Sequence, residues 1–175
     1  LGFGGGNPGN VGNTESWNGS SWTEVNDLNT ARRSARGAGT STSALFASGL
    51  TSTEVALNEL YDGSSWTESS DLNTAREGGS GSGSSNTAAL VFGGGDPVRA
   101  LTENWDGSSW TEVNDMAIAR TSGPGGDGTN ISAIVFGGAP SGNTTAGVAT
   151  EEWAFSGIQP TDPSAGYADA ITGDF

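Results

Sequence analysis

Carboxylates recur along the chain at a fixed spacing that raises the question of catalysis. One series ends the motif Gly-Ser-Ser-Trp-Thr-Glu and the other lies nine residues before it; the members are Glu24, Glu68 and Glu112, and Glu15, Glu59 and Glu103. A glycosidase needs two carboxyl groups about 5–10 Å apart in different environments. Equivalent positions of a repeat provide similar environments. The spacing therefore predicts structural carboxylates, and a glycoside-active enzyme that uses Glu103 or Asp127 is the least favoured function.

Arginines and large aromatic residues recur with the same period. An arginine could bind an acidic ligand, and a row of tryptophans could stack against sugar rings. Binding residues usually lie on loops that differ between repeats, however, so recurrence favours a structural role. Each arginine is predicted to bond loop carbonyls or a carboxylate of the next repeat. The predicted structural anchors are Trp17, Trp22, Arg32, Tyr61, Trp66, Arg76, Trp105, Trp110 and Arg120.

A few residues that break the repeat are the candidates for ligand binding. Trp153 has no second tryptophan after it, so we expect it to be the exposed aromatic residue. Asp96 and Arg99 lie in a loop whose length and content differ between copies. Aspartates in Gly-rich loops could supply oxygen ligands to Ca²⁺. Asp96 and Asp127 are weak candidates for this, and Asp62 a further one, because no EF-hand spacing or nonapeptide repeat surrounds them. No other cofactor is predicted.

The composition excludes several classes of protein. The 175 residues include 20 acidic and 6 basic ones, for a net charge of −14, and all six basic residues are arginine. Without cysteine or histidine the chain has no disulfides, no Cys/His metal site and no Ser-His-Asp or Cys-His catalysis. The charge argues against nucleic acid and anionic membranes as partners. No apolar run approaches the roughly 20 residues of a membrane-spanning helix.

The repeat itself predicts short strands. Trp22, Trp66 and Trp110 are each 44 positions apart, and an apolar run followed by glycines, such as Ala89–Gly95, precedes each aromatic pair in the later copies. Four short strands fit this period: a first strand a, the apolar run as a buried inner strand b, and a tryptophan hairpin as strands c and d. High glycine content disfavours helix throughout.

The turn of the hairpin determines which residues face each other. With Gly107-Ser108 as a two-residue type II′ turn, Trp105 lies opposite Trp110; an Asp106-Gly107 type I′ turn would instead place Trp110 opposite Glu103. We predict the first register because it pairs aromatic side chains, and the other copies would repeat it as Trp17 with Trp22 and Tyr61 with Trp66.

These anchors resemble the kelch repeat. The apolar strand with a double glycine, the spaced Tyr/Trp, the Trp-Thr pair and the Ala-Arg segment all recur in phase over residues 1–155. The resemblance implies an all-β fold of four-stranded, antiparallel β-propeller blades. Two departures stand out: Ala47-Ser48-Gly49 replaces the expected glycines, and the last copy lacks a second tryptophan. A kelch-related copper oxidase is excluded, since it needs histidine ligands and a cysteine-linked tyrosine.

The phase of the strands indicates an incomplete or small propeller. The chain reads b-c-d, a-b-c-d, a-b-c-d and a-b-c. Three interpretations stay open: a piece of a longer propeller, which we favour, a compact four-bladed closure, or association of copies through open edges. Residues 156–175, with Pro160 and Pro163, are predicted to be a linker and extended segment toward a further module.

The functional prediction is a non-enzymatic display scaffold. The Asn/Ser/Thr-rich sequence of the repeat resembles kelch-like segments of marine bacteriophage tail-fibre and other virion proteins. This implies a structural or receptor-facing module, located in a virion or outside the cell. Its predicted partners are other virion proteins or further copies of itself, with cell-surface glycan as a candidate ligand. The alternative is a secreted or surface carbohydrate-binding propeller of a bacterium. The variable loops are Asn7–Asn13, Gly49–Thr53, Asp96–Ala100 and Ala139–Gly147.

Overall fold

The computed structural model describes residues 1–6, 8–139 and 150–154. All fourteen regular elements in these ranges are β-strands, and they form four antiparallel sheets. Within the same ranges, no helix long and apolar enough to span a bilayer is found. The predicted all-β class is therefore confirmed.

The first half of the chain forms two sheets, in which consecutive strands are neighbours. Sheet I has the order β1-β2-β3 and sheet II the order β4-β5-β6-β7. The strand bounds are Gly2–Phe3 (β1), Thr14–Trp17 (β2), Trp22–Val25 (β3), Arg36–Thr40 (β4), Ser43–Ala47 (β5), Asn58–Tyr61 (β6) and Trp66–Ser69 (β7).

The second half repeats the arrangement. Sheet III contains β8 to β11 and sheet IV contains β12 to β14, again in chain order. The bounds are Ser80–Ser85 (β8), Ala88–Phe92 (β9), Thr102–Trp105 (β10), Trp110–Val113 (β11), Gly125–Gly128 (β12), Ser132–Phe136 (β13) and Thr150–Ala154 (β14). The described strands thus divide into three, four, four and three, as the phase of the repeat predicts.

The aromatic hairpins adopt the predicted register. Trp105 lies opposite Trp110, and the other two aromatic pairs are opposed in the same way. Gly107 has φ +97° and the Asp106 amide donates to the Ser109 carbonyl at 3.3 Å, so Gly107 and Ser108 form the two-residue turn. Positive φ at the first turn residue is the reason this position needs glycine.

The core lies between neighbouring sheets. On β5, Ala44 and Phe46 pack toward sheet I, whereas Leu45 and Ala47 pack toward sheet III. Side chains on a strand alternate between its two faces, so β5, which is covered on both faces, is apolar from Ala44 to Ala47. This explains why the apolar runs became central strands.

The first strands of sheets II, III and IV pack against one another, β4 on β8 and β8 on β12. Glycines permit the close approach. A Cβ added to Gly81 would lie 3.3 Å from the Gly37 carbonyl oxygen, and one added to Gly126 would lie 2.6 Å from the Phe92 ring. The Gly/Ser-rich composition of these strands is thus a packing requirement.

The departure at Ala47-Ser48-Gly49 leaves the backbone unchanged. Ser48 has φ +64°, close to the +69° of Gly93, which occupies the equivalent position in sheet III. The left-handed conformation costs a non-glycine residue about 1–2 kcal/mol. Ser48 therefore adopts the same left-handed backbone conformation as the glycine at the equivalent position.

The prediction that Trp153 is the exposed aromatic residue is wrong. Trp153 is partly buried and packs against the cluster between sheets III and IV, which contains Leu90 and Val135. The exposed tryptophans are Trp17 and Trp22, at 45% and 54% exposure. No described sheet covers the face of sheet I that carries them, whereas sheet III covers Trp153.

Two predicted regions fall outside the described residues. These are the linker at 156–175 and the loop Ala139–Gly147 beyond its first residue. The structure gives no account of either region.

Replacing Trp66 with alanine should destabilise the fold by about 3–5 kcal/mol, because a large buried side chain leaves a cavity. Trp66 is 5% exposed and its ring lies 4.9 Å from that of Phe3. Trp22→Ala, at the equivalent but exposed position, should cost about 0.5–1.5 kcal/mol through the lost contact with Trp17. Glu68→Ala should change the free energy of unfolding by under about 0.5 kcal/mol. Urea denaturation measures all three, and equal losses would contradict the packing assignment.

Candidate functional site

A buried arginine joins sheet I to sheet II. Arg32 lies in the loop between β3 and β4 and is fully buried. Its Nη1 forms an ion pair with Glu59 of β6, and its Nε and Nη2 donate to the carbonyls of Ser48 (3.0 Å) and Phe46 (2.6 Å). The guanidinium also lies 4.5 Å from the centre of the Phe46 ring. One side chain thus contacts two strands of the next sheet.

The same loop completes the hydrogen bonding of the buried carboxylate. The backbone amide and the side-chain amide of Asn29 donate to Glu59 Oε2 at 2.7 and 2.9 Å, and Asn29 Nδ2 also donates to the Trp66 carbonyl. Burying an ion pair costs free energy unless its remaining donors and acceptors are satisfied. Here the loop between β3 and β4 supplies most of the donors that Glu59 needs.

The contact recurs at the next two sheet boundaries. Arg76 Nη2 lies 3.2 Å from Glu103 Oε1, and Asn73 donates to Glu103 Oε2. Arg120 Nη2 lies 2.7 Å from Glu151 Oε1. Each of the three arginines thus pairs with a carboxylate of the next sheet, which is one of the two kinds of contact that the sequence predicts for them. Burial lowers the pKa of Arg32 and of Arg76, and the facing carboxylates oppose that shift.

The two glutamate series have different environments. Glu59 and Glu103 are each 1% exposed and are bonded by an arginine loop, whereas Glu68 and Glu112, opposite them in the ladder, are exposed. The Glu103 carboxylate thus faces Arg76 through Oε1 and accepts from Asn73 at Oε2. Asp127, the other residue considered for catalysis, lies on β12 in another sheet, with its Oδ1 accepting from the Gly128 amide at 2.7 Å.

Asp96 and Arg99, two of the predicted ligand-binding residues, line an open cleft of about 720 Å³. Two variable loops meet here, because the loop between β9 and β10 approaches the loop between β5 and β6. Arg99 Nη1 lies 3.2 Å from Glu54 Oε2, and the Asp96 amide donates to Glu54 Oε1 at 2.7 Å. Trp153 is not among the residues that line this cleft.

Glu54 is the residue that sequence reasoning missed. It follows the variable loop Gly49–Thr53 and lies outside the recurring glutamate series. Its position outside the series could have marked Glu54 as a candidate. Its ion pair with Arg99 could not be inferred from the sequence, because the two residues are 45 positions apart. Glu77 also lines the cleft, so the cleft presents three carboxylates and one arginine.

The calcium candidates are not brought together. Among the described residues no group of three or more Asp or Glu side chains is arranged to hold a metal ion. Asp96 lies in the loop between β9 and β10 of sheet III, whereas Asp127 lies on β12 of sheet IV. Asp62 stabilises the hairpin turn instead, because its Oδ1 accepts hydrogen bonds from the amides of Ser64 and Ser65, both at 2.8 Å.

No family model matches the chain, and no curated protein matches it closely.

Replacing Glu59 with glutamine should destabilise the fold by about 3–5 kcal/mol, since it leaves Arg32 buried without its counter-charge. Glu15→Gln is the matched control, because Glu15 occupies the equivalent position on β2 but is exposed. Its free energy of unfolding should change by less than about 0.5 kcal/mol. Chemical denaturation compares the variants; a small effect of Glu59→Gln would contradict the importance of the pair.

The hairpin turns should show a specific acid titration. Hydrogen bonds from Ser65 and Ser64 lower the pKa of Asp62 to about 2, and those from Ser109 and Ser108 do the same for Asp106. Because the folded pKa lies below the ordinary value of about 4, the stabilisation is complete above pH 4 and lost as the pH falls toward 2. The amide shifts of Ser64 and Ser65 should follow this midpoint in NMR spectra.

The first hairpin provides the control for that titration. Asn18 makes the same contacts to Ser20 and Ser21 and has no carboxyl group, so these amides should not respond. Asp62→Asn should keep the turn and abolish the titration of its own hairpin. A midpoint near pH 4 for Ser64 would contradict the assignment.

Proposed function

We propose that the chain is a non-enzymatic display scaffold of kelch-like propeller blades, which serves as a structural or receptor-facing module of a bacteriophage virion appendage. Sheets I to IV are the blades in this proposal, and their strands run from β1, β4, β8 and β12 outward. The 44-residue period, the chain-order topology and the packing of β4, β8 and β12 on one another support this arrangement.

One observation carries the functional proposal: the recurring arginines, and most of the recurring aromatic residues, are buried between the sheets. Arg32, Arg76 and Arg120 are buried in ion pairs between sheets, and the aromatic pairs of sheets II and III are buried with them. Repetition thus serves rigidity, and the exposed chemistry is left to loops that differ between repeats.

The virion assignment rests on the composition of the repeat. The repeat is rich in Asn, Ser, Thr and Gly and contains the motifs Gly-Ser-Ser-Trp-Thr-Glu and Leu-Asn-Thr-Ala-Arg. This sequence is similar to kelch-like segments of phage tail-fibre proteins. A charge of −14 and a rigid β-scaffold suit an exposed structural part. Other virion proteins are the proposed partners.

The cleft at Arg99 favours a second candidate function, carbohydrate binding by a bacterial surface or secreted propeller. Arg99, Glu54 and Asp96 place several donors and acceptors around one open depression, an arrangement suited to sugar hydroxyl groups. A glycan array separates sugar binding from pure scaffolding. Binding that Arg99→Ala abolishes and Arg33→Ala retains would assign sugar binding to this cleft, since Arg33 is exposed and bonded to Asn10 instead.

The primary proposal predicts that the protein sediments with phage particles. Virions purified on a density gradient from a culture that expresses the gene should contain the tryptic peptide 100–120 in proteomic spectra, in constant ratio to capsid peptides. Recovery of this peptide only in host envelope or secreted fractions would contradict the virion assignment and leave the scaffold assignment to be judged from the glycan array.

A further inference from the structure

The outward face of sheet I, defined here as Glu15, Trp17 and Trp22, exposes residues that the other sheets bury. The equivalent pairs, Tyr61 with Trp66 and Trp105 with Trp110, have exposures of 0–6%, against 45% and 54% for Trp17 and Trp22. The ring centroids of Trp17 and Trp22 are nevertheless 5.4 Å apart, close to the 5.0 and 5.2 Å of the buried pairs. The aromatic surface is thus already formed.

Glu15 completes the resemblance to the buried faces. It lies opposite Glu24 on β3, as Glu59 lies opposite Glu68 on β7. Glu59 is bonded by Arg32 and Asn29, but among the described residues no side chain or amide is bonded to the carboxylate of Glu15. An exposed carboxylate and two exposed tryptophans therefore occupy one face.

The chain itself shows which partner such a face accepts. The segment Leu28-Asn29-Thr30-Ala31-Arg32 docks on Glu59 and Trp66, with Leu28 in the shared core and Asn29 bonded to both residues. The segment 72–76 repeats these contacts on Glu103 and Trp110. Leucine covers the aromatic rings, asparagine joins the carboxylate to the strand, and arginine neutralises the charge.

We propose that the outward face of sheet I is a docking surface for the Leu-Asn-x-Ala-Arg loop of a further repeat of the same kind. This repeat is distinct from the four sheets described above. A second copy of this chain is a less suitable partner for the outward face of sheet I than a further repeat. Its own loop arginines, Arg32, Arg76 and Arg120, are 0–1% exposed and already bonded to their own carboxylates. The proposal is independent of the virion assignment.

An extended chain tests the proposal. A copy of residues 1–44, with its two tryptophans changed to phenylalanine, is fused before Leu1, so that the 44-residue period continues and the added loop is tethered at a high effective concentration. Docking should shield Trp17 and Trp22, so the fraction of tryptophan fluorescence quenched by acrylamide should fall. Amide exchange at residues 15–17 should slow by about tenfold or more.

Matched variants of the extended chain separate specific docking from general collapse. Glu15→Gln, and alanine in place of the added loop's arginine, should each restore quenching and lower the Tm. Glu24→Gln should do neither, because its counterparts Glu68 and Glu112 stay exposed beside docked loops. Exchange protection at Ala88–Phe92 reports that the fold itself is intact in every variant.

Three results would overturn the proposal. Trp17 and Trp22 could stay quenchable in the extended chain while Ala88–Phe92 remains protected. Glu15→Gln and Glu24→Gln could lower the Tm equally. Finally, the natural chain could self-associate in sedimentation with Trp17 and Trp22 shielded, which would assign the face to a second copy.

Discussion

The buried arginine–glutamate pair between neighbouring sheets is the constraint on which the rest of the structure depends. Removing two charges from water costs several kcal/mol per ion, and the cost is recovered only when geometry and hydrogen bonding are nearly complete. Arg32 and Glu59 meet this condition because one loop supplies the guanidinium, the Asn29 amides and an apolar residue together. The position of each sheet is thereby tied to the loop that leaves the sheet before it.

Apolar packing and glycine follow from that arrangement. Sheets held face to face bury both sides of the central strands, so β5 and β9 are almost entirely apolar, and the buried glutamates of β6 and β10 each face an arginine. The first strands approach so closely that positions such as Gly126 have no space for a side chain. Few charged or aromatic side chains of the interior remain available for chemistry, which is why the cleft formed by irregular loops, with Glu54 and Arg99, is the candidate site for a ligand.

Much of the fold was predictable because its signals are local. The 44-residue period gave the number and phase of the described strands, and the pairing of Trp105 with Trp110 followed from a four-residue connection that permits one aromatic register. The role of the arginines was predictable as well, because a recurring charge in a repeat must be satisfied by another recurring group. The cleft was only partly predictable: Asp96 and Arg99 stood out as irregular, but their contact with Glu54 spans more than 40 residues.

The sequence by itself determined the secondary structure, the strand phase and the set of charged and aromatic residues that build the interior, since these depend on neighbours along the chain. Tertiary structure alone decided which of them are buried. Trp17 and Trp22 stand in the same motif as Trp105 and Trp110, yet only the second pair is covered by another sheet. Likewise Glu15 and Glu59 are equivalent in sequence, and only Glu59 meets an arginine. Burial and ion pairing are properties of the neighbour in space, and repetition in a sequence does not specify whether that neighbour is present.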